Sequence, residues 1–92
     1  MEEINSTKEA QKILTENEVW YNFLRIPSKL AEELPKNDTR LKFIIDGKET
    51  SLLYLAKYKK VCGMTFWYRK YGVKKGHVLK IRNTKKGYKI II

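Results

Sequence analysis

The sequence predicts an α+β, mainly β domain, and three observations carry that expectation. Runs rich in β-branched and aromatic residues with period-two alternation recur along the 92 residues. Asp46-Gly47 stands between two such runs, where a tight hairpin turn belongs. Helical patterns are confined to short stretches, at 7–14, 28–34 and 64–71. The length suits one domain with a core just large enough to fold alone.

The elements follow in order. Ser6-Thr7-Lys8-Glu9 has the form of a capping box, and Ala10, Ile13 and Leu14 follow at helical spacing. Residues 1–16 are therefore expected as an N-terminal segment, a short helix over 7–14 or partly disordered. The folded domain is expected over 17–92. Residues 18–26, containing Val19-Trp20-Tyr21-Asn22-Phe23, read as a strand. Pro27 supplies a first helical position, Leu30 and Leu34 share one face of the helix 28–34, and Pro35 stops it. Leu41, Phe43 and Ile45 alternate on one face of a strand over 40–46. A partner strand over about 49–58 turns Leu52, Tyr54, Ala56 and Tyr58 to one side. Residues 59–63 read as a loop. The helix over 64–71 is expected to bury Phe66, Trp67 and Tyr71 and to end at Gly72. Two closing strands, 77–82 and 88–92, complete five strands.

Charge divides the chain. Residues 1–49 hold eight Lys/Arg and ten Asp/Glu, a sum of −2; residues 50–92 hold twelve Lys/Arg and no acid. An acid-free stretch of this length repels itself and is best understood if a polyanion supplies the missing charge. The competing account, a merely Lys-rich solvated surface, leaves the missing acids unexplained. No apolar run is long enough to span a bilayer, so no membrane partner is expected. The single Cys62 and the absence of a secretory-type start at Met1-Glu2-Glu3-Ile4 predict a reducing, cytoplasmic setting.

Catalytic chemistry finds little support. Asp46-Gly47-Lys48, with Asp38 upstream, has the Asp-x-Lys form of metal-dependent nucleases, yet a hairpin turn accounts for it better. Cys62 and His77 lack any carboxylate after Glu49 to orient the imidazole. One Cys and one His do not build a thiolate- or imidazole-rich metal site. The expectation is no enzyme, no metal and no cofactor. Basic residues interleaved with rings are more informative. Lys57-Tyr58-Lys59-Lys60 lies at a strand end, and Arg69 and Lys70 follow Phe66-Trp67-Tyr68. Such cations suit phosphate, although lysines on a strand edge also guard against aggregation.

The run Phe23-Leu24-Arg25-Ile26-Pro27-Ser28-Lys29-Leu30-Ala31-Glu32-Glu33-Leu34 resembles the strand, Ile-Pro, short-helix start of DNA-binding pseudobarrels. The later Gly63-Met64-Thr65-Phe66-Trp67-Tyr68-Arg69-Lys70-Tyr71-Gly72-Val73-Lys74-Lys75-Gly76-His77-Val78-Leu79 resembles that fold's second helix and following turn. This fold is shared by plant B-three-type transcription-factor domains and the DNA-recognition domains of some restriction endonucleases. The resemblance covers about residues 17–92. It implies an open barrel with two short helices and two arms in the major groove of duplex DNA. Asn22 and Arg25 would lie near the first arm, and Lys57, Lys59 and Lys60 at the second. The family usually has about seven strands where five are evident here, and His77 replaces its usual acidic turn residue. The Ile-Pro-x-x-Leu element also resembles AbrB-like swapped-hairpin barrels, which bind DNA as dimers but lack the aromatic second helix.

The leading expectation is thus a non-enzymatic double-stranded DNA-binding domain, suited to transcription regulation or restriction-type recognition. The alternatives are RNA or single-stranded DNA binding, with Trp20 or Trp67 stacking on bases, and a protein-interaction or restriction-modification accessory module with an acidic partner. No feature fixes an oligomeric state.

Overall fold

The computed structural model describes residues 9–84 and 87–92. Seven strands form one curled open sheet, joined by three short helices. The strands are β1 (Glu9–Ile13), β2 (Phe23–Arg25), β3 (Thr39–Ile45), β4 (Lys48–Leu55), β5 (Lys60–Cys62), β6 (Val78–Thr84) and β7 (Gly87–Ile91). The helices are α1 (Glu16–Tyr21), α2 (Ser28–Ala31) and α3 (Thr65–Lys70). Sheet order is β1-β6-β7-β3-β4-β5-β2, with only the β3–β7 pair parallel. The edge strands β1 and β2 do not pair with each other.

The β3–β4 hairpin follows the sequence closely. Asp46 and Gly47 have φ of 56° and 74°, the two positive values that a type I′ turn requires. Phe43, Ile45, Leu52 and Tyr54 are buried on the inner face. Leu79 and Ile81 of β6 and Ile90 of β7 extend that core, and Leu30 and Leu34 seal it around α2. Gly72 takes the left-handed conformation after α3.

Several expectations need correction; among them, α2 covers only Ser28–Ala31 of the helix expected over 28–34. Residues 9–13 form a strand, not part of a helix; β1 pairs with β6 from Glu9–Arg82 to Ile13–Val78, and tertiary pairing overrides a helix-favouring composition. The proposed start of that helix, Ser6 to Lys8, lies outside the described residues. Residues 16–21 form α1, and only Phe23–Arg25 remain strand. The local cause is a capping box: the Thr15 hydroxyl accepts from the Glu18 N–H at 3.3 Å, and the Glu18 carboxylate accepts from the Thr15 N–H at 3.0 Å. Asn22 ends the helix at φ 59°. Another correction is β5, which replaces part of the loop at 59–63; Val61 is fully buried between β4 and β2. The β4 strand correspondingly stops at Leu55, short of Tyr58.

Finally, α3 buries Trp67 and Tyr68, whereas Phe66 and Tyr71 are exposed. A hydrogen bond decides the rotation: the Tyr68 hydroxyl donates to the Phe23 carbonyl at 2.8 Å and ties α3 to β2. Burial pushes the Tyr68 phenol far above its ordinary pKa, with the Glu18 charge adding to the rise.

Candidate nucleic-acid interface

The β2 edge and the turn between β4 and β5 meet at one corner of the sheet. Arg25 of β2 lies directly across from Lys60 of β5. The Ile26 N–H donates to the Lys59 carbonyl at 2.8 Å, which extends the pairing into the turn. Alternation places Phe23 and Arg25 on the outer face, opposite buried Leu24. The same rule sends Lys60 outward beside buried Val61.

Two rings organise the cations. The Lys60 ammonium sits 4.6 Å from the Phe23 ring centre and 5.1 Å from that of Tyr58. The Arg25 guanidinium lies 5.9 Å from Phe23, and the Lys57 ammonium 5.6 Å from Tyr58. Such contacts are worth about 0.5–1 kcal/mol at exposed sites. They orient the cations without neutralising them.

The turn itself is held from below and strained at its end. The Asp38 carboxylate accepts from the Ala56 N–H at 2.8 Å. Lys59 has φ 52°, a conformation that disfavours residues other than Gly, Asn and Asp.

Beneath Arg25 lies Glu18, the one charged side chain buried among the described residues. Its carboxylate accepts from the Arg25 N–H at 2.8 Å and from the Thr15 hydroxyl at 3.0 Å. It also pairs with the Lys12 ammonium of β1 at 3.1 Å. Burial pushes its pKa up, but the Arg25 and Thr15 hydrogen bonds and Lys12 outweigh that, so the carboxyl ends below its ordinary value. Glu18, on α1, thus ties β2 to β1.

The expected site residues separate into groups. Arg25, Lys57, Lys59 and Lys60 assemble at the corner. Asn22 stands at its base as the left-handed cap of α1, and its carbonyl accepts from the Met64 N–H at 3.1 Å. Arg69 is exposed on α3 beside Phe66. Lys70 is elsewhere: its ammonium pairs with Asp46 at 2.9 Å, at the opposite end of the eight-residue β4 from Lys57. At about 3.3 Å per residue that is roughly 25 Å away. The Asp46 carboxyl is held below its ordinary pKa by hydrogen bonds from Lys70 and then Tyr71, and Lys70 is correspondingly raised.

The nuclease-like reading also loses its geometry. Asp38 and Asp46 flank the seven-residue β3 and stand a similar ~25 Å apart, too far to share a metal ion. Among the described residues no three His, Cys, Asp or Glu side chains converge as metal ligands, and no helix is long and apolar enough to cross a membrane.

Three residues at the corner escape a reading by composition. Phe23 was legible as the i−2 neighbour of Arg25 on one strand face. Tyr58 lies within the lysine run itself. Glu18 is announced by Thr15-x-x-Glu18. No protein-family model matches the chain, and neither the curated proteins nor the solved structures give a match.

Proposed function

We propose that the chain is a non-enzymatic domain that binds double-stranded DNA through the corner formed by β2 and the β4–β5 turn. The carrying observation is the cross-strand pair Arg25–Lys60. Like charges directly opposite each other destabilise a sheet. Yet no ion pair among the described residues engages Arg25, Lys57, Lys59 or Lys60. Three exposed cations away from the corner do meet acids: Arg82 pairs with Glu9, Lys42 with Glu49 and Lys70 with Asp46. A polyanion laid across the corner removes the repulsion that the fold leaves in place.

Duplex DNA is favoured as that polyanion by shape. The β2–β5 pair is an antiparallel ribbon at the sheet edge, and the major groove, about 12 Å wide, admits such a ribbon. The seven strands also agree with the number implied by the pseudobarrel resemblance. In this reading Lys57, Lys59 and Lys60 contact phosphates, and Arg25 reads base edges from the ribbon.

The test is duplex binding by fluorescence anisotropy across a salt series. At about −0.9 per neutralised phosphate, the three lysines give a log–log slope of roughly −3. Lys57→Ala and Lys60→Ala should each flatten the slope by about one, while Lys70→Ala should leave it unchanged. Absence of binding, or affinity independent of salt, overturns the proposal.

A further inference from the structure

The most exposed aromatic side chains of the described residues are Trp20, Tyr21 and Phe66, with relative exposures of 74%, 67% and 61%. They are not scattered. Trp20 and Tyr21 are the last two residues of α1, and Phe66 is the second of α3. The Met64 N–H to Asn22 carbonyl bond, 3.1 Å, joins the end of α1 to the start of α3. All three rings therefore lie within two residues of a single backbone junction. The junction also adjoins the basic corner, because Phe23 follows Asn22 directly and carries Arg25 and Lys60 over its ring. Arg69, one turn beyond Phe66, lines the same open groove of α3.

From this placement we infer that the α1–α3 junction is a stacking platform for unpaired bases, so that the preferred ligand is a duplex with adjoining single-stranded nucleotides. Rings left in water beside unneutralised cations match a ligand that alternates flat apolar faces with phosphates. Charge selects this occupant over an apolar protein surface, which would leave Arg25, Lys60 and Arg69 desolvated and unpaired. The inference rests on the duplex reading for its second half: the ribbon takes the paired segment and the platform takes the bases beyond it.

Trp20 also supplies the probe, since the other tryptophan, Trp67, is buried at 6% exposure. The experiment compares a blunt duplex, the same duplex bearing a short single-stranded tail, and oligo-dT, reading anisotropy and tryptophan quenching together. The tailed duplex is expected to bind roughly tenfold or more tighter than the blunt one, with quenching of Trp20. Trp20→Ala and Phe66→Ala should each abolish that preference and leave blunt-duplex affinity unchanged, and Trp20→Phe should restore it. Both positions are exposed, Phe66 with one edge against Trp67, and urea midpoints check that the fold persists in each variant. Equal affinity for blunt and tailed duplexes without quenching overturns the platform and leaves duplex binding standing. Oligo-dT binding as tight as the tailed duplex, lost in Trp20→Ala, supports the platform and overturns the duplex reading. No binding to any of the three probes overturns both, whereas a dimer in sedimentation that Phe66→Ala dissolves while nucleic-acid binding stays unaffected overturns the platform alone.

Discussion

Removing the Glu18 side chain tests how β2 is held. Glu18→Ala takes away one partner of a buried pair whose members are 2% and 17% exposed. It leaves the Lys12 ammonium half-enclosed without its counter-charge, and strips acceptors from the N–H groups of Arg25 and Thr15. Breaking a buried ion pair from one side costs about 3–5 kcal/mol. A domain of this size has roughly 5–14 kcal/mol in total. The expected loss lowers Tm by at least ~12 °C at about 4 °C per kcal/mol, measurable by circular dichroism. Hydrogen exchange should accelerate at the Arg25 and Thr15 amides in the folded variant.

The same residue sets an acid limit. The folded carboxyl titrates below its ordinary value, so its stabilisation is complete above the unfolded pKa of about 4.5. It is lost as pH falls through the folded value. The wild type should therefore shed stability below that range more steeply than Glu18→Gln. A Glu18→Ala variant within about 1 kcal/mol of wild type at neutral pH would refute the reasoning, because an isolated surface carboxylate gives no more than that.

Two further substitutions probe backbone geometry. Lys59→Gly relieves a left-handed residue at the turn and should leave stability unchanged or raise it by up to ~1 kcal/mol in urea denaturation. It should nevertheless weaken duplex DNA binding and flatten the salt slope by about one, since a phosphate contact is lost. Gly87→Ala places a Cβ 2.8 Å from the Lys42 carbonyl oxygen at φ +133°, where β7 begins its parallel pairing with β3. A loss of about 1–3 kcal/mol is expected by the same method; an unchanged midpoint would show that β7 can shift without cost.

The parts of the fold legible in the sequence are those where local chemistry and tertiary packing agree. The β3–β4 hairpin combines clean alternation at Leu41, Phe43 and Ile45 with a turn dipeptide that needs positive φ. Gly72 and the pair Leu79 and Ile81 are similar cases. Where the two disagree, pattern reading misleads. Val19-Trp20-Tyr21 favours a strand by composition, yet the Thr15–Glu18 box and the Asn22 cap impose a helix and leave the two rings in water. Residues 9–13 have no strand pattern of their own, and their pairing with β6 is a long-range fact. Val61 is hidden between lysines and glycine in a strand of three residues. At the corner, the lysine run and Arg25 stand out from composition alone. Their convergence depends on the β2–β5 register, which no local signal carries.

The central claim, that Arg25 and the lysines of the β4–β5 turn meet duplex DNA on one surface, is tested most directly by chemical-shift mapping during a duplex titration. The predicted result is a contiguous set of shifted amides at 23–25 and 57–60, with those around Asp46 and Lys70 unmoved. Shifts centred on Asp46 and Lys70, or no shifts at all at saturating duplex, would contradict it.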